Sequence, residues 1–162
     1  MANGMPSSDK RTVFVTMLRT IDDKLTVSDK VQNFADPVLR VSVSLIFIIG
    51  GAGHFFAHDE MLARVEDSPW LGIVAGIGDP SFLLWVSGII FILAGTALAL
   101  GWMCRFAALA LFFTLVPITL AIHIAPGHVG PLFKNVALLG ALFYIFARGP
   151  GRYALDNARP SS

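Results

Sequence analysis

SFLLWVSGIIFILAGTALAL, Ser81 to Leu100, is twenty residues long and holds no charged side chain. A stretch of that length and composition is what a bilayer crossing needs. Backbone polar groups cannot stay unpaired in hydrocarbon, so the stretch must be helical. Three more segments follow the same logic: VLRVSVSLIFIIGGAGHFF (Val38 to Phe56), FAALALFFTLVPITLAIHI (Phe106 to Ile124) and the shorter LFKNVALLGALFYIFA (Leu132 to Ala147). Pro131 and Arg148 extend the last of these through the interface.

Composition agrees with this reading. The chain has 162 residues, enough for one domain, and is 55% hydrophobic but only 14% charged. Its mean hydropathy is +0.70, whereas soluble domains are about 25% charged. The twelve basic residues are dispersed, with no nucleic-acid readout motif, so nucleic acid is not an expected partner. Cys104, the single cysteine, cannot close an internal disulfide. The first 35 residues are polar and contain no continuous apolar run of the kind a secretory signal needs.

The segment boundaries carry chemical marks. Asp36-Pro37 and Asp79-Pro80 each read as an acidic cap followed by proline at the first helical position. Gly130-Pro131 opens the fourth helix without a side-chain cap. Pro117 removes one backbone hydrogen bond inside the third segment and predicts a kink there. The short second and third connections predict an all-α, antiparallel four-helix transmembrane bundle. Residues 1–35 form a cytoplasmic amino-terminal segment, 36–148 the bundle and 149–162 a cytoplasmic tail. Gly88, Gly95 and Gly140 are expected to admit neighbouring backbones, as is the pair Ala97 and Gly101.

Basic residues orient the bundle. Lys10, Arg11, Arg19, Lys24, Lys30, Arg40, Arg105, Arg148, Arg152 and Arg159 fall on one side, against Arg64 and Lys134 on the other. By the positive-inside rule both termini face the cytoplasm of a cell (inner) membrane. Trp70 and Trp85 then lie near the outer interface, with Trp102 and Tyr153 near the inner one. Within residues 12–34, Phe14, Met17, Leu18, Ile21 and Leu25 recur at helical spacing. They outline a partly amphipathic helix for a membrane surface or a partner, with a polar tail as the plainer alternative. The stretch PWLGIVAGIGDP, Pro69 to Pro80, is too short to span and is expected in the outer interface or folded against the bundle.

LFKNVALLGALFYIFARGPGRYALD, Leu132 to Asp156, resembles the end of a DoxX-family membrane protein. The resemblance rests on Lys134-Asn135 early in the last helix and on the tail Gly149-Pro150-Gly151-Arg152 through Asp156. VLRVSVSLIFIIGGAGHFF is similar to the family's opening Leu-Arg helix. GIIFILAGTALALGWMCRFAALAL, Gly88 to Leu111, is similar to its middle hairpin. Many relatives carry a glutamate in the second helix four residues before a glycine; here Phe91 precedes Gly95. The resemblance implies a four-helix membrane bundle and a link to quinone-dependent redox complexes. The tail also has a physical reading. Gly149 and Gly151 permit a sharp turn, Pro150 stops the helix, and Arg148 and Arg152 suit a helix carboxyl end. Asp156 is expected to pair with Arg152 or Arg105, and Arg40 to reach the headgroups or Asp36.

Four histidines, His54, His58, His123 and His128, fall on the predicted outer side. His54 and His58 are four apart, so both rings share a helix face, and Asp59 and Glu60 stand beside them. Neutral imidazoles ligate metals or haem and also bond polar ligands. No zinc-type motif accompanies them, and the plainest reading is interfacial histidines satisfied by water and headgroups. If a cofactor is held, the family resemblance implies a quinone ahead of haem or a metal ion. Asn135 is expected to bond across helices. The leading expectation is a small subunit or accessory factor of a membrane redox complex, embedded in lipid beside a protein partner or a second copy. The alternative is a membrane oxidoreductase or cofactor carrier using the histidines. Transport fits least, because the helix centres carry no charged groups.

Overall fold

The Asp79 carboxylate accepts a hydrogen bond from the Phe82 amide at 2.8 Å, and Pro80 follows as the first helical residue. This satisfies one of the amides that every helix start leaves without an internal partner. The same dipeptide upstream behaves differently. The first long apolar helix begins at Asp29, not Asp36, and Pro37 lies inside it. Proline's fixed φ is a helical one, so the ring is tolerated at the loss of a single backbone bond. The Asp36 carboxylate instead pairs with Arg148 Nε at 3.5 Å.

The computed structural model describes residues 7–25, 27–123 and 129–158, with side chains from Arg11 onward except at 23 and 123. The elements are α1 (Ser7–Lys24), α2 (Asp29–Phe56), α3 (His58–Glu66), α4 (Leu71–Ile77), α5 (Pro80–Leu100), α6 (Cys104–His123) and α7 (Val129–Arg148), with a 3-10 turn at Leu155–Ala158. Two compact units share the chain, Met1–Gln32 and Asn33–Ser162. In the first, α1 exposes Phe14, Met17, Leu18 and Ile21. The Thr16 and Thr20 hydroxyls donate to carbonyls four residues back, at 2.8 and 2.9 Å. Of residues 12–34, those up to Lys24 belong to α1 and those from Asp29 onward to α2.

In the second unit α2, α5, α6 and α7 pack as an antiparallel bundle. Ser44 of α2 meets Gly95 of α5, while Gly51 and His54 meet Gly88, so numbers rise along one helix as they fall along the other. A Cβ at Gly51 would lie 2.9 Å from the Gly88 carbonyl oxygen and one at Gly88 would lie 2.8 Å from the His54 Cβ. Only glycine allows backbones so close, and close approach is how helices associate where lipid removes the hydrophobic drive. Gly140, by contrast, faces open space and is no such contact. Gly101, at φ +73°, starts a tight turn into α6, and α6 packs along α5 and α7. Helix α6 runs unbroken through Pro117.

Leu98, Ala108, Leu111 and Leu142 are fully sealed in the core, and Phe47 meets Phe91 edge-on at 5.1 Å. Large apolar side chains also point outward along every long helix, among them Ile49, Leu93, Phe113 and Phe143. In water so much exposed apolar surface is unusual; in a bilayer it is the solvated face. Among the described residues, four helices are long and apolar enough to cross a membrane: Asp29–Phe56, Pro80–Leu100, Cys104–Ile122 and Val129–Arg148. The apolar stretch before Asp79 folds back: α3 packs on α5 and α6, and α4 packs on α6. The Ser68 hydroxyl donates to the Ala121 carbonyl and fastens that corner to α6.

Candidate functional site

The two ends of the bundle use their polar residues differently. At the end holding the α5–α6 turn, the tail after α7 folds across the helix termini. Asp156 accepts from the Met103 amide at 2.8 Å and the Cys104 amide at 3.0 Å, and its own amide donates to the Gly101 carbonyl at 2.9 Å. Asp156 thus caps α6, instead of pairing with Arg152 or Arg105 as its charge suggests. Arg40 is 2% exposed and does not reach outward. It donates to the Tyr153 carbonyl at 3.3 Å and contacts Cys104 Sγ at 3.8 Å. The folded tail covers it. Gly149 and Gly151 take left-handed conformations at φ +91° and +66°, and a side chain at Gly151 would run into Asp36. Pro150 sits between them, Arg152 is exposed, and Phe34 stacks on Tyr153 at 5.4 Å.

At the other end His54 and His58 turn toward α5. His54 Nδ1 lies 3.1 Å from the Leu84 carbonyl oxygen and 2.9 Å from Ser87 Oγ. His58 Nδ1 donates to the His54 carbonyl at 3.2 Å, leaving Nε2 to accept from Ser81 Oγ at 2.9 Å. Its ring stacks on Trp85 at 4.5 Å. Both nitrogens of His58 are thus engaged, and the pair does not offer two free nitrogens to one ligand. The His123 side chain and all of His128 lie outside the described residues. Among the described residues no three His, Cys, Asp or Glu side chains converge as a metal group.

Opposite the α5 contacts, Asn135 of α7 is 3% exposed and donates to Thr119 Oγ1 of α6 at 3.1 Å. The Thr119 hydroxyl donates to the Leu115 carbonyl at 2.6 Å. Polar groups inside apolar helices are held by such bonds because hydrocarbon supplies none. Between these two polar groupings lies a cavity of about 450 Å³. Its walls are mostly apolar, with Phe47, Leu84, Phe91 and Leu138 among them, and its polar points include His54, Ser87, Asn135, Lys134 and Arg64. An apolar pocket with a few fixed polar groups is the usual form of a small-molecule site.

Sequence spacing missed Ser87, Thr119 and Arg64. For Ser87 and Thr119 the available signal was a hydroxyl within an otherwise apolar helix. Arg64 and Lys134 are the two basic residues that the charge distribution set apart from the other ten, and both line the cavity.

The DoxX family model matches residues 35–124. The chain belongs to the DoxX family. The match covers more than half of the 162 residues and takes in the α2–α6 part of the bundle. It ends before α7, so the Lys134-Asn135 pair and the glycine-rich tail lie beyond it. No curated protein and no solved structure matches the chain. This DoxX-family chain is a multi-span helical membrane protein.

Proposed function

We propose that this DoxX-family protein is a small subunit or accessory factor of a quinone-linked membrane redox complex, and that its cavity receives the ring of the quinone-class molecule. The cavity carries the reading: apolar walls suit a lipophilic ring and tail, while His54, Ser87 and Asn135 supply polar contacts for ring oxygens. The donor set fits such a molecule better than a metal ion, because His58 spends both nitrogens on protein and His54 spends Nδ1. Ten basic residues against Arg64 and Lys134 support an orientation with both termini in the cytoplasm of the cell membrane. The cavity then opens toward the outer half of the bilayer.

Two measurements test this. Purification in a gentle detergent with partner identification is expected to recover a defined redox partner; recovery of the chain alone defeats the subunit reading. Titration of the purified chain with a short-tailed benzoquinone and its quinol is expected to give saturable binding of at least one form. Absence of binding by both defeats the cavity reading.

A further inference from the structure

The hydrogen bonds of His54 fix which of its nitrogens carries the proton. The Leu84 carbonyl, 3.1 Å from Nδ1, can only accept. Ser87 Oγ lies 2.8 Å from that same carbonyl, so its single proton has an acceptor already. Nδ1–H therefore donates to the carbonyl, to Ser87 Oγ at 2.9 Å, or to both. The opposite arrangement, with Ser87 donating to a bare Nδ1, would set a nitrogen lone pair against a carbonyl lone pair. The bond made by one imidazole nitrogen sets the state of the other, so neutral His54 has an unprotonated Nε2. His54 is 7% exposed, and its Nε2 has no hydrogen-bond partner among the described residues. The side chain lines the cavity. An unengaged acceptor on a cavity-lining side chain can take a hydrogen bond from a ligand hydroxyl.

We propose that the cavity selects the reduced, hydroxyl-bearing form of its ring ligand, with His54 Nε2 accepting a hydrogen bond from a ligand O–H. This rests on the quinone-class reading and adds an oxidation-state preference to it. A quinone presents only acceptor oxygens, so Nε2 would face one of them lone pair to lone pair. A quinol presents the donor that Nε2 lacks. Ser87 is the positioning residue, because it holds Nδ1 in the protonated form.

The test uses the full chain in detergent micelles, titrated without oxygen with decyl-benzoquinol and separately with decyl-benzoquinone. The quinol is expected to bind roughly tenfold more tightly, the size of one hydrogen bond gained against an acceptor left bare. His54→Phe, which removes the acceptor, is expected to erase that preference by lowering quinol affinity about tenfold. Because that variant can fail to fold, nitrogen-15 NMR of histidine-labelled wild-type protein is the second readout. It is expected to show His54 with Nδ1 protonated and Nε2 bare. The reverse tautomer overturns the inference. So does equal affinity for both forms, which leaves the quinone-class site standing. Binding of neither form overturns the site and the inference together.

Discussion

The tail end and the histidine end of the bundle hold similar kinds of residue and put them to opposite uses. At the tail end, Asp156, Arg40 and Asp36 are all drawn to partners within the chain, and Ala154 is buried against Gly101. At the histidine end, His54, Ser87 and Asn135 are oriented by bonds to protein, yet all three also line a cavity. A polar group bonded across helix ends locks them together, as Arg40 does although its Nε has no hydrogen-bond partner among the described residues. One that is oriented and also faces a cavity can recognise something else. Burial alone does not separate the cases, since Arg40 and Asn135 are equally hidden; the destination of each hydrogen bond does.

This contrast can be broken by substitutions that confuse structure with recognition. The largest expected effect is Gly101→Val at the tail end. Its φ of +73° disfavours any side chain, and a Cβ would lie 2.6 Å from the Ala154 Cα. We expect a loss of about 3 kcal/mol in unfolding titrations, or no folded protein. Asp156→Ala should follow, removing the acceptor for two α6 amides at a cost of about 1–2 kcal/mol, read as a lowered Tm in detergent. Its affinity for a short-tailed quinol should not change. If that affinity falls as steeply as stability, the two ends are not separable.

At the histidine end, Thr119→Val leaves the Asn135 amide without its partner and should cost about 1 kcal/mol. Unlike Asp156→Ala, it should also weaken ligand binding, because Asn135 lines the cavity. Ser87→Ala is expected to have the smallest stability effect, about 0.5 kcal/mol, since the Leu84 carbonyl keeps its helix bond and His54 Nδ1. It sharpens the comparison by reading the tautomer: the preference for quinol over quinone should shrink while Tm hardly moves. An unchanged preference would show that the Leu84 carbonyl alone fixes His54.

The spans were legible because their cause is local. Twenty uncharged residues need lipid wherever they occur, and Asp79 caps a helix three residues away. Asp36-Pro37 has the same letters and was misleading, since proline also fits inside a helix and the carboxylate's partner is Arg148, far along the chain. Asp156 was recognisable as part of a structured tail, but its target amides at 103 and 104 depend on how α6 and α7 pair. The spacing of His54 and His58 suggested one helix face and a shared ligand, but α2 ends at Phe56 and His58 opens α3, so the two stand on different helices. What decides their chemistry is α5: Ser81, Leu84 and Ser87 claim the rings one by one. Distances across helices leave no periodic trace in a single sequence.

The Asp156 cap also imposes an order of events during synthesis. Its two acceptor contacts reach back more than fifty positions, to the first turn of α6. When α6 first enters the membrane, those amides and the Arg40 guanidinium stand without the tail that later bonds them. The bundle can therefore be inserted but not fastened until α7 has been made and the strand behind it has crossed over. A chain stopped within α7 would lack Asp156 and so leave that end of the bundle unlocked.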